Sequence, residues 1–95
     1  MWCQDLESTA DFISLFVVCA PGEFFPDDFP DLNYQSAIEA LTAGIKRCEA
    51  EIGKQLVDDC LQLLSQAVSH YEKEQNALAQ KALYKIEKIL DRHRV

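Results

Sequence analysis

The sequence predicts an all-α fold: a small antiparallel helical bundle of about four helices, with a long acidic-aromatic loop between the first two. Three observations predict it. From Tyr34 onward, apolar residues recur at alternating steps of four and three, the spacing of one helix face. Strict apolar-polar alternation is absent, and no segment offers a partner strand. Breakers at Pro21-Gly22, at Gly53 and in the polar run Glu72-Lys73-Glu74-Gln75-Asn76 divide the chain into helix-sized pieces. The 95 residues make one domain, residues 1–95, with room for one modest core.

The first helix is expected from about Leu6 to Cys19. Ser8 followed by Asp11 has capping-box spacing, which places the start near Ser8 rather than Cys3. Its β-branched and aromatic centre would also suit a strand, and the lack of any partner strand decides for helix. Proline cannot continue the hydrogen-bond ladder, so Pro21-Gly22 ends it.

Residues 21–33 then form a loop containing three prolines, four acids and three phenylalanines. That is long for a small helical domain, and loops of such length often carry function. Phe24, Phe25 and Phe29 cannot all stay in water without cost, so at least one should fold back onto the domain.

A second helix is expected over about Tyr34 to Ile52, capped by Asn33 or by Ser36 with Glu39 three residues on. Its stripe is Tyr34, Ile38, Leu41, Ile45, Cys48 and Ile52, and Gly53 stops it. Gly44 interrupts this helix where Ala37, Ala40 and Ala43 already thin it, which favours close approach by another helix over a tolerated defect. A third helix begins near Lys54, and apolar residues on more than one face make it the central element. The run 72–76 is read as a turn capped by Asn76, because one 40-residue helix is rare in so small a globule. The last helix, about Ala77 to Arg92, is expected to bury Leu78, Ala82, Leu83, Ile86, Ile89 and Leu90. Lys85, Lys88, Arg92 and Arg94 suit the negative pole at its end.

Charge is divided unevenly along this framework. The first 45 residues hold eight Asp or Glu and no Lys or Arg, whereas all nine bases lie between Lys46 and Arg94. The net charge of −7 therefore splits as −8 for residues 1–45 and +1 for 46–95. Such a balance repels phosphate backbones and anionic membranes, so no nucleic-acid or membrane partner is expected. The apolar run Phe12–Ala20 has acids before it and no basic flank, so it reads as neither signal peptide nor bilayer span. A cytoplasmic location is the resulting expectation.

Chemistry-bearing constellations are weak. The cysteines Cys3, Cys19, Cys48 and Cys60 lack metal-knuckle or redox spacing and read as reduced, partly buried small hydrophobes. Cys60 and His70 lie about 15 Å apart along one helix, too far to act as nucleophile and base. Asp27, Asp28 and Asp31 lack the glycine and terminal Glu of a calcium loop, and His70 with Glu74 supplies only two ligands. Gly22, Gly44 and Gly53 are isolated and build no phosphate cradle. No catalysis, no cofactor and no metal are therefore expected.

What remains is a surface. Carboxylates in the loop would steer a basic protein, and an exposed aromatic would anchor it. The candidate partner-binding residues are Glu23, Phe24, Phe25, Asp27, Asp28, Phe29 and Asp31, with Asp11 and Glu39 extending the same sign along the flanking helices. The competing reading makes the three phenylalanines a plug for the end of the bundle. In size, acidity and lack of an active-site motif the chain resembles bacterial immunity proteins and antitoxin-like blockers. That implies an inhibitor which occludes a basic partner such as a nuclease toxin. A homo-oligomeric helical adaptor, dimerising through the Tyr34–Ile52 stripe or the last helix, is the alternative from another class. A metal-responsive helical module is the third.

Overall fold

The computed structural model describes residues 3–22, 24, 27 and 30–93, and these residues are all helix, turn or coil. Five helices follow in order: α1 (Leu6–Cys19), α2 (Tyr34–Arg47), α3 (Glu49–Ile52), α4 (Lys54–Glu72) and α5 (Asn76–Asp91). Among the described residues, no helix is long and apolar enough to cross a membrane.

α1 has the expected bounds, but its cap lies three residues earlier than the sequence suggested. The Asp5 carboxylate accepts the Ser8 amide at 2.8 Å while the Ser8 hydroxyl accepts the Asp5 amide at 3.1 Å. Ser8 is thus the reciprocal third residue of the box rather than its cap. The same device starts α2, where Asn33 and Ser36 exchange two bonds of 2.8 Å and Glu39 has no part.

The long helix expected over Tyr34–Ile52 is two pieces. α2 stops at Arg47, Cys48 turns the chain, and α3 adds a single turn that stays in phase with the stripe. Leu41, Ile45, Cys48 and Ile52 are all buried despite the interruption. Gly53 then adopts φ +87, a conformation that side chains disfavour, and joins α3 directly to α4. At the other break Gln75, not Asn76, precedes α5, and Glu74 takes a positive φ of 59 in the turn. α4 ends before Glu74, so His70 and Glu74 share no helical face, and His70 Nδ1 instead meets Gln75 Oε1 at 2.9 Å.

Packing fixes the directions. α1 lies against α2 and α5, α4 lies against α2 and α5, and α3 fills the corner beside α4. Arg47 at the end of α2 donates to the Cys3 carbonyl before α1 at 2.9 Å. The Phe16 ring near the end of α1 meets Tyr34, which opens α2, at 5.9 Å between centroids. α1 and α2 therefore run in opposite senses. α4 turns back into α5 through residues 73–75, which sets that pair antiparallel as well.

The core runs through all four long helices, with Phe16, Phe24, Ile13, Leu41, Ile45, Leu83, Ile86 and Leu90 its largest fully buried side chains. Leu78 does not join it. At 44 % exposure it faces outward, and Ala79 takes the inward position expected of it. The register of α5 is set by Ala79, Ala82, Leu83, Ile86 and Leu90, a stripe of steps three, one, three and four that leaves Leu78 on the outer face.

At one end of the molecule Gly44 meets α1. A Cβ on Gly44 would collide with the Cβ of Cys3 and would sit 2.7 Å from Thr9 Oγ1. The glycine is thus the close-approach site that the thinned helix suggested. Thr9 is buried beside it and donates its hydroxyl to the Asp5 carbonyl at 2.6 Å. All four cysteines are free, with Cys3, Cys48 and Cys60 buried. Burial pushes the Cys3 and Cys60 thiols up to about 11 and raises Cys48 and Cys19 in the same direction.

Candidate functional site

The 21–33 connection lies at the end of the molecule where α1 stops, α2 starts and α4 stops. Three rings from these helix ends meet there. Phe16 lies 5.9 Å from Tyr34 and 6.3 Å from Tyr71, and Tyr34 meets Tyr71 edge-on at 6.0 Å. Phe24 closes the cluster from the connection itself, 5.7 Å from Phe16 and only 1 % exposed. Aromatic pairs at these separations are worth about 0.5–1.5 kcal/mol beyond the area they bury. Phe24 therefore serves the core and is not available to anchor a partner, as its place among the candidate residues required.

Leu32, 6 % exposed, ties down the far end of the connection, and Asn33 caps α2 immediately after it. Ser36 adds a bond from its hydroxyl to the Asp31 carbonyl at 3.3 Å. The connection is thus pinned at Phe24 and again at 31–33. Between and beside these pins Asp27 and Asp31 stand exposed. Glu39 is exposed on the second turn of α2, where the Gln35 amide reaches it at 3.4 Å. Asp11 is exposed midway along α1, about 12 Å of helix rise from Cys19. Glu23, Phe25, Asp28 and Phe29 lie outside the described residues.

A recess of about 500 Å³ opens beside these pins, walled by Pro21, Pro30, Phe24, Leu32 and Tyr34. Its lining is mainly apolar, with Gly22 and Asn33 completing it, and Asp31 borders Pro30 and Leu32 in sequence. The Tyr34 and Tyr71 hydroxyls are buried with no hydrogen-bond partner among the described residues. Burial, with the Glu72 carboxylate second, pushes the Tyr34 phenol up; burial, with Tyr34 and Tyr84 adding to it, holds Tyr71 at about 12. Both are neutral at physiological pH. The partly exposed Tyr34 ring, with Asp31 close by in sequence, suits a cationic side chain, whose stem packs on a ring while its head stays near a carboxylate.

Among the described residues, no group of three or more His, Cys, Asp or Glu is placed to hold a metal ion. Asp28 of the loop's acidic trio is outside those residues.

A second surface was missed in the sequence. α4 and α5 enclose a groove of about 450 Å³ whose cationic side is Lys85, Lys88 and Arg92. Their place near the end of α5 suits the helix dipole, and nothing local in the sequence shows that α4 lies alongside them. Two exposed apolar residues of α5, Leu78 and Tyr84 at 49 %, mark the same helix as incompletely covered.

No protein-family model, curated protein or solved structure matches this chain.

Proposed function

We propose that this protein acts by binding rather than by catalysis, and that it blocks a basic protein partner as immunity and antitoxin-type inhibitors do. The observation that carries the proposal is the pinned acidic connection. Asp27 and Asp31 are exposed between anchors at Phe24 and Leu32, in a half of the chain with no Lys or Arg to neutralise them. Pinning matters because carboxylates already in place lose less freedom on binding. Glu39 and Asp11 extend the same charge, and the recess beside Tyr34 supplies a seat for an Arg or Lys of the partner. The mechanism is occlusion: the acidic end covers a cationic cleft, of which a nuclease's phosphate-binding surface is the natural example.

The test is capture from native cell extract at about 0.1 M and about 0.5 M salt, where the screening length falls from ~10 Å to roughly 4 Å. The expected result is one basic protein held at low salt and lost when Glu23, Asp27, Asp28 and Asp31 are replaced together by Gln and Asn. Binding indifferent to those four substitutions overturns the proposal.

A second reading, the homo-oligomeric adaptor, is favoured by Leu78 and Tyr84 standing exposed on α5. In the other candidate interface, the Tyr34–Ile52 stripe, Leu41, Ile45, Cys48 and Ile52 lie in the monomer's core, while Tyr34 and Ile38 are only partly buried. Light scattering separates the two readings: a monomer at high concentration removes the adaptor.

A further inference from the structure

We infer that the α4–α5 groove is a docking site for an acidic amphipathic helix of a protein partner, independent of the acidic connection. The groove holds about 450 Å³ and has a floor of Leu63 from α4 and Ile89 from α5, both only partly buried. Along its α5 side stand Lys85, Lys88 and Arg92, all exposed. None of the three forms an ion pair with a described residue. In a chain of net charge −7, three exposed cations facing a single lining carboxylate, Asp59, around open apolar surface form a local exception that suits an anionic, partly apolar occupant.

The spacing selects the class of occupant. Lys85, Lys88 and Arg92 fall at i, i+3 and i+7, so they span roughly 10 Å along α5 with Ile89 set among them. A helix laid alongside presents its own residues at the same pitch, so acids at i, i+3 and i+7 meet the three cations while an apolar residue at i+4 seats on Leu63 and Ile89. An extended polyanion matches the charges and leaves the floor uncovered. The α4 side carries amides, Gln62 and Gln66, which donate or accept without adding charge. Asp59 lies at the Arg92 end of the groove, already accepting the Gln55 amide at 3.1 Å, and gives the site a polarity. The occupant's acids at i and i+3 meet Lys85 and Lys88, clear of Asp59, and its acid at i+7 meets Arg92 beside it.

The test uses isotope-labelled protein and an alanine-based helical peptide carrying Glu at i, i+3 and i+7 with Leu at i+4. A scrambled peptide of the same composition and a single-stranded DNA oligomer are the comparisons. Backbone amide shifts should move within 59–66 and 85–92, and the periodic peptide should bind about tenfold more tightly than the scrambled one, because only it seats the leucine while keeping the charges in register. Lys85→Glu with Lys88→Glu, both solvent-exposed and so compatible with folding, should weaken binding by at least about tenfold. Equal binding of the scrambled peptide, tighter binding of the DNA, shifts lying elsewhere or no shift at millimolar peptide would each overturn the inference. Concentration-dependent shifts in the same residues without any peptide would overturn it in favour of a second copy of this chain.

Discussion

Gly44→Ala tests the junction between α1 and α2, because helix propensity and the packing geometry predict opposite signs. Gly44 lies inside α2, where replacing glycine by alanine ordinarily stabilises by about 1 kcal/mol. The new methyl, however, would overlap the Cβ of Cys3 and lie 2.7 Å from Thr9 Oγ1 and 3.2 Å from the Cys3 carbonyl oxygen. Ordinary carbon contacts are about 3.5–4.0 Å, so the arm before α1 must retreat by about 1 Å. It is not free to do so. Arg47 holds the Cys3 carbonyl at 2.9 Å, and Thr9 is fastened to the Asp5 carbonyl at 2.6 Å. Overpacking a filled site costs about 1–3 kcal/mol, and loosening either of these bonds takes about 1 kcal/mol more. Against the propensity gain the net loss is about 2 kcal/mol. A domain of this size shifts by about 4–8 °C per kcal/mol, so the melting temperature should fall by roughly 10 °C. Calorimetry on the two proteins decides the matter. In a Cys3→Gly background, which removes the nearest methylene and suits the positive φ of 56 at that position, the same substitution should cost less by about 1 kcal/mol. An unchanged or raised melting temperature for Gly44→Ala would refute the reasoning.

The remaining predictions draw on other parts of the core and caps. Tyr71→Phe should leave stability unchanged or raise it by up to about 1 kcal/mol in denaturant titration, since it deletes a buried hydroxyl with no partner among the described residues; Tyr71→Ala should cost about 3–5 kcal/mol. In native protein at pH 8, a thiol reagent should label the half-exposed Cys19 well before Cys3, Cys48 and Cys60, which should react only on unfolding. The Asp5 carboxyl is lowered by the Ser8 amide and hydroxyl, so its capping contribution is complete above the ordinary carboxylate range and fades as pH falls through the depressed folded value. Asp5→Asn keeps the cap, so thermal melts of the variant should show a smaller loss of stability on acidification than the parent.

The helix boundaries were legible wherever a local signal fixed them. Pro21 ended α1, Asn33 capped α2, Gly53 separated α3 from α4, and the polar run at 72–76 broke α4 from α5. The break at Cys48 was not legible, because Cys48 and Ile52 remain buried and in phase across it; hydrophobic period is blind to a turn that preserves register. The Asp5 cap was hidden by degeneracy, since Asp5-Glu7-Ser8 and Ser8-Asp11 both offer a polar pair three apart. Thinning around Gly44 did reveal close approach, though not that the approaching atoms belong to Cys3 and Thr9, more than thirty residues away in sequence. Of the candidate site, Phe24 folded inward and Asp27, Asp31, Asp11 and Glu39 stayed in water. The α4–α5 groove needed the pairing of two helices and could not be read from either alone.

That pairing also changes what the net charge means. α1 packs on α2, α2 on α4, α4 on α5 and α5 back on α1, so the α1–α2 edge stands opposite the α4–α5 edge. The uneven charge of the linear sequence thereby becomes a separation in space, with α1 and α2 free of bases up to Ile45 on one edge, and Lys81, Lys85, Lys88 and Arg92 interleaved with Asp58, Asp59, Glu87 and Asp91 on the other. The molecule measures 33 × 28 × 18 Å, whereas charges in physiological salt are screened over about 8 Å. A partner at one edge therefore responds to the charges of that edge and hardly to the sum. The total of −7 thus averages an acidic edge with a mixed one. Salt dependence should follow the edge: raising ionic strength weakens a basic partner at Asp27 and Asp31 and an acidic helix at Lys85 and Lys88 alike, and reversing the charge of one edge leaves binding at the other intact.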